Sequence, residues 1–357
     1  MSMVFSLAPT ITAFFGLPAS NATFLNIGFV AAGLLSPVFG YAADRQGTKQ
    51  ILILGTLIFV LGHGLAAIST SVWLYIMARF LIGLGYSALL GLIVSYLSKL
   101  LDHSRMGSIS AFLKLAFALG VFVSPVLAGT LVNWVGFQVL YLILTLIGAL
   151  ILWGLFWIPS IGLSQEGHVT MKEVRTLFRN KTVLAFMGVS LATALPGYAF
   201  FNFLSVFLSE KGFAQLNISL IYTMIGLGSI ASAFVIFFLN KKLGLIRIFK
   251  SGLWITLIGM IPMMTLNPIL IIALAPFWSM GYDTIVGLIN PVLAIEYPRH
   301  SGTVIMSISL LGAVYGILIN VLGPWLYQDF GFAGMLGIGI VGTILGTLSL
   351  QHALKKV

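Results

Sequence analysis

Gly85–Ile93 reads G-Y-S-A-L-L-G-L-I, and Gly281–Ile289 reads G-Y-D-T-I-V-G-L-I, the same frame 196 residues further on. Working outward, Gly47 answers Gly244, Gly107 answers Gly302, and Gly136-Phe137 answers Gly331-Phe332, at offsets of 195 to 197. Four matches that keep their order at one offset mark a duplicated unit. Both quoted stretches lie within long apolar runs, so the repeated unit is built from apolar helices.

The composition says where such helices belong. Hydrophobic residues make up 59% of the 357-residue chain and charged residues 7%, against roughly 45–50% and about 25% in soluble domains. So few charged side chains could not cover a water-facing surface of this size, so the chain belongs in a bilayer. With 39 Gly, 27 Phe and 13 Met it is too varied for a fibrous protein. It has no Cys, which excludes disulfides, thiolate metal sites and cysteine nucleophiles.

A helix that crosses the hydrocarbon core needs about 20 mainly apolar residues. Twelve such runs are present, at about 3–15, 23–43, 50–68, 72–98, 106–132, 137–158, 182–208, 216–239, 247–266, 269–295, 302–327 and 332–352. A transmembrane barrel is excluded, because the runs are continuous rather than of period two. The first run is too short to cross, and no charged segment leads it as in a secretory signal; the expectation is a truncated first helix with the true start upstream. The longest polar interval, 160–181, holds Glu166, Lys172, Glu173, Arg175, Arg179 and Lys181 and reads as a central linker. The expected fold is therefore an all-α membrane protein of twelve transmembrane helices. Two six-helix pseudo-repeats, 1–159 and 182–357, share one orientation because six is even.

Basic residues orient the spans. With the connector after the second run inside, fifteen of the eighteen Lys and Arg fall on inner segments. Of the rest, Lys211 is outside and Arg79 and Lys114 lie within spans. The net charge of +10 is thus a topology signal, and nucleic-acid binding drops out. The linker and C-terminus are expected in the cytoplasm, with the bilayer as lipid partner at the cell membrane.

The connector after the second run reads G-Y-A-A-D-R-Q-G-T-K-Q from Gly40 to Gln50. It resembles the loop signature of the major facilitator superfamily at Gly40, Asp44, Arg45, Gly47 and Lys49, with Thr48 where a basic residue is commoner. Independently of the family, two glycines permit a tight turn between close helices, and the lone acid can accept from a basic side chain or a helix N-terminus. The resemblance implies a gating loop that latches the two halves. The second half keeps a worn copy, N-K-K-L-G from Asn240 to Gly244, without the acid. R-F-L-I-G-L-G from Arg79 to Gly85 is similar to the superfamily's arginine motif. G-V-F-V-S-P-V-L-A-G from Gly120 to Gly129 is similar to the Gly-Pro motif of its drug:proton antiporters, with Ser124 and Ala128 in place of glycines. Gly120, Ser124, Pro125 and Gly129 suit close helix approach and a kink at an interface between halves.

Ionisable groups deep in a membrane are unfavourable by at least roughly 2.5–3.5 kcal/mol near the centre, so each is a candidate site. Three stand inside spans: Arg79, Lys114 and Asp283. None recurs in the other half, where Ala275, Ser309 and Ser87 occupy the matching positions. Burial raises a carboxylate's pKa and a nearby cation lowers it, so a movable partner lets a carboxyl group load and release a proton. Asp283 is the expected proton carrier, with Lys114 or Arg79 as its alternating partner. Arg79 can alternatively bind an anionic substrate group.

The resemblance also implies that the first, fourth, seventh and tenth spans line a cavity. Candidates there are Tyr86 and Ser87, then Tyr198, Asn202 and Phe203, then Tyr282 and Asn290. Aromatic rings suit lipophilic or cationic compounds, and buried polar atoms need a partner. Signals for enzyme chemistry are missing. G-L-G-S-I-A from Gly226 to Ala231 lies inside an apolar run with no strand before it, which reads as helix packing. There is no P-loop, and five scattered His give no metal spacing. The expectation is a secondary transporter without cofactors, a monomer that exports small lipophilic or drug-like compounds against protons. A proton symporter for an anionic nutrient and a non-transporting membrane sensor are the alternatives.

Overall fold

The computed structural model describes residues 2–17, 19–100, 106–160, 181–296 and 301–354. Most of the 160–181 linker, and the basic residues Arg105, Lys172, Arg175, Arg179, Lys181, Arg299, Lys355 and Lys356 in whole or in their side chains, lie outside what is described. Among the described residues every regular element is helical. The helices are α1 (Ser2–Phe14), α2 (Ile27–Ala32), α3 (Ser36–Gln46), α4 (Thr48–Ala67), α5 (Val72–Leu100), α6 (Met106–Leu155), α7 (Lys181–Glu210), α8 (Gln215–Leu243), α9 (Leu245–Met263), α10 (Pro268–Glu296) and α11 (Ser301–Leu354).

Ten stretches are long and apolar enough to cross a membrane, and Met3–Phe14 is a shorter apolar helix. The count of twelve is therefore approximate. It is recovered when the 44-residue stretch Ile308–Gln351 is divided at Gly331, where the backbone of α11 leaves the helix. α6 breaks in the same way at Gly136. Gly136 has φ 73° and ψ 166°, and Gly331 has φ 60° and ψ −159°. Both conformations are open essentially to glycine alone, so a single residue turns the chain from one span into the next.

The second run departs from the expected continuous helix. It comprises 3-10 turns over Ala19–Asn26 and Gly33–Leu35 on either side of α2, and then α3. Pro37 sits in the first turn of α3 and has no N–H to offer the carbonyl of Gly33, which tightens the chain at that point.

Helices α1, α2, α4, α5 and α6 share one apolar cluster that includes Leu7, Phe29, Tyr75, Phe137 and Tyr141. A second, around Phe200, Phe203, Trp278 and Met335, joins α7 to α11 and takes in Phe5 and Ala8 of α1. The outer surface is apolar as well: Trp134 is 88% and Trp157 76% exposed, as a lipid-facing surface requires. Glycines bring the helices close. Gly85 lies against the carbonyl of Gly55 on α4, and Gly281, its partner in the repeat, against Thr256 on α9. In the dinucleotide-like run, Gly226 meets the Phe122 backbone and Gly228 the Pro276 carbonyl, so these glycines serve helix contact.

Candidate functional site

Two long clusters of packed helices leave a cavity of about 510 Å³ between them. Its wall draws Phe5 from α1, Tyr86 from α5, Phe117 and Ser124 from α6, Tyr198 and Phe201 from α7, Ser229 from α8, and Tyr282 and Asp283 from α10. Tyr282 donates its hydroxyl proton to the Thr193 carbonyl at 2.9 Å and stacks on Trp278 at 5.0 Å between centroids.

Asp283 is the charged group on this wall. Lys114 Nζ of α6 donates to its Oδ1 at 2.6 Å, and the two side chains are 6% and 5% exposed. Ser279 Oγ, one turn earlier on α10, donates to Oδ2 at 2.9 Å, and Ser229 Oγ of α8 donates to the same oxygen. The carboxylate thus has three donors from three helices. The ammonium of Lys114 also stands 4.8 Å from the centre of the Phe117 ring, a favourable face for a cation. A proton on Asp283 would remove the charge that holds Lys114, while the serine hydroxyls can donate or accept and so satisfy either form of the carboxyl group.

Arg79 is not part of this pair. Its guanidinium donates through Nη2 to Asn26 Oδ1 and lies 4.6 Å over the Phe29 ring. His63, on α4, gives its Nδ1 proton to the Phe59 carbonyl at 2.8 Å and packs on the Phe59 ring.

Of the cavity residues expected from sequence, Tyr86, Tyr198 and Tyr282 line the wall and the other four do not. Asn202 donates to Asn320 Oδ1 at 3.2 Å, and Phe203 stacks on Tyr327 at 5.2 Å beside Gly323. Ser87 and Asn290 are half-buried away from it. Sequence reasoning missed Ser229 and Ser279. The i−4 spacing of Ser279 from Asp283 was the signal available, since it puts both on one helix face.

In the Gly-Pro motif, Gly120 and Ser124 reach the cavity, Pro125 is buried, and Gly129 lies directly against Ser219 of α8. In the loop motif, Gly40 is buried on α3, and Gly47 turns the chain from α3 into α4 at φ 105°, where L side chains are strained. Lys49 donates to the carbonyls of Phe156 and Ile158 at 3.0 and 2.7 Å, tying the loop to the end of α6. The side chains of Asp44 and Arg45 lie outside the described residues. At the start of α8, Gln215 donates to the Ser6 carbonyl and to Ser219 Oγ, and accepts from Thr10 Oγ1.

Comparison with known proteins agrees with this architecture. The chain matches the Major Facilitator Superfamily over residues 1–319, and it belongs to that family. It is a multi-pass membrane transporter of small molecules and not an enzyme. It is 24% identical over 352 residues to the sialic acid transporter NanX of Escherichia coli K12, covering 95% of this chain and 84% of that one. It is 22% identical over 344 residues to a homologue of the multidrug resistance efflux pump PmrA from Lactococcus lactis, covering 92% and 84%. The fold is similar to the crystal structure of the human organic anion transporter MFSD10, with a TM-score of 0.76, 16% identity and coverage of 98% of this chain and 89% of that one.

Proposed function

We propose that the protein is a proton-coupled secondary transporter that exports small lipophilic compounds by alternating access. Two halves, 1–159 and 182–357, rock about the central cavity as a monomer in the cell membrane, with the 160–181 linker and the C-terminus in the cytoplasm. Asp283 carries the proton. In one state it pairs with Lys114 across the two halves; in the other a proton replaces Lys114 and the helices separate. The observation that carries this reading is the buried Lys114–Asp283 pair, which joins α6 to α10 at the cavity wall. The aromatic lining from Phe5, Phe117, Tyr198 and Phe201 suits an apolar solute. Dye efflux from energised vesicles tests it. Transport that stops with an uncoupler and in Asp283→Asn is the expected result, whereas full proton-driven transport in Asp283→Asn would refute it.

A second reading, proton symport of an anionic nutrient, is favoured by one observation: relatives aligned over nearly the whole chain include transporters described for sialic acid and for organic anions. In that case the proton on Asp283 frees Lys114 to meet the solute's carboxylate. Proton-driven accumulation of a labelled organic acid, lost in Lys114→Gln, separates the two.

A further inference from the structure

Among the described residues, three charged side chains are buried: Arg79, Lys114 and Asp283. Two are cations and one is an anion. Lys114 takes Asp283, so among the described residues the charge of Arg79 has no carboxylate counterpart. The remaining seven carboxylates do not supply one: no ion pair to Arg79 occurs among the described residues, and in sequence Asp44, Asp102, Glu166, Glu173, Glu210, Glu296 and Asp329 stand at helix ends, at the kink or in connectors. Arginine does not escape by losing its proton. A buried charge without an anionic partner is destabilising, and the Asn26 amide oxygen and the Phe29 ring offset the charge of Arg79 only in part, so an anion from outside the chain would stabilise it.

The hydrogen bonds around Arg79 point the same way. Its Nε–H has no partner, although the residue is 2% exposed. Asn26, equally buried, spends its Oδ1 on Arg79 and leaves its Nδ2 without a partner. Two buried orphan donors therefore flank one uncompensated positive charge, on neighbouring side chains from the 3-10 turn before α2 and from α5. Phe29 covers a face of the guanidinium, which leaves the donors at its edge for a ligand in the guanidinium plane. Buried donors left unpaired in this way call for a bound ion or water, and the excess charge selects the ion.

We propose that Arg79 and Asn26 form a binding site for a small monovalent anion, either chloride or the carboxylate of a transported solute, separate from the Lys114–Asp283 pair. The anion accepts hydrogen bonds from Arg79 Nε–H and Asn26 Nδ2–H and restores electroneutrality beside α5. It does not depend on whether Asp283 carries a proton.

Thermal unfolding of the purified full chain in lipid nanodiscs tests this, in sodium salts of chloride, acetate and a bulky sulfonate at equal ionic strength. A ligand that binds only the folded state raises Tm with its concentration. The wild type is expected to gain stability in chloride or acetate relative to the sulfonate, in a saturable manner. Asn26→Asp builds the missing carboxylate into the chain and is expected to abolish that gain; Arg79→Gln, which removes the charge, is expected to abolish it too. A response to chloride and acetate alike identifies an inorganic anion as a sufficient ligand, and a response to acetate alone identifies a solute carboxylate. Equal Tm in the three salts for the wild type, or an undiminished response in either folded variant, overturns the proposal.

Discussion

Replacing Asp283 with Asn leaves Lys114 buried opposite a neutral amide. At 2.6 Å, and with an effective dielectric constant of about 20, the attraction lost is about 6 kcal/mol. The neutral amide also recovers the desolvation penalty of one carboxylate, so the net loss falls into the roughly 3–5 kcal/mol typical of a broken buried pair. That corresponds to a drop in Tm of roughly 4–7 °C for a chain of this size. Removing both charges at once has a different sign. Lys114→Met with Asp283→Leu exchanges the pair for apolar groups of similar volume, which is often neutral or stabilising. The double variant is expected to regain most of the lost Tm while losing uncoupler-sensitive dye efflux. The assay is thermal unfolding in nanodiscs beside efflux from vesicles. If the single variant loses less than about 1 kcal/mol, or if the double variant is as unstable as the single one, the account of the pair as an electrostatic unit is refuted.

Further outcomes follow from other parts of the molecule. Gly136→Ala and Gly331→Ala place a Cβ in open space but on a backbone at φ 73° and 60°, so each is expected to lower stability by roughly 1–3 kcal/mol through strain alone, read as Tm. A Cβ at Gly226 would stand 2.5 Å from Phe122 Cα; Gly226→Val is expected to force α6 and α8 apart and to reduce both folded yield and transport. Ser229→Ala with Ser279→Ala removes two of the three donors to Asp283, and roughly 1.5–3 kcal/mol per hydrogen bond to a charged group is expected to be lost in unfolding measurements.

The sequence carries the spans because a bilayer demands continuous apolar runs, and Gly136 and Gly331, which fall between such runs, prove to be joints only through their backbone angles. Asp283 and Lys114 stand out as charges in apolar surroundings. Their pairing does not, since Arg79 was equally eligible and the partners are 169 residues apart. Helical phase is also hard to read in a membrane, where every face of a span is apolar. Asn202 and Phe203 follow Tyr198 on the same helix by one turn or slightly more, yet they point to Asn320 and Tyr327 rather than to the cavity. The serines were hidden for a further reason: small residues are abundant at helix contacts, so Ser229 resembles any other packing serine until its neighbour is known.

The amide of Gln215 draws together Ser6, Thr10 and Ser219 without a single full charge. Neutral hydrogen bonds exchange for water almost evenly, at about 1 kcal/mol apiece, and respond little to salt. The polar contacts between α1 and α8 therefore exchange for water at a smaller free-energy difference than the buried ion pair between α6 and α10. If the two halves rock as proposed, a solute's binding energy is expected to act mainly on the ion pair rather than on these neutral contacts.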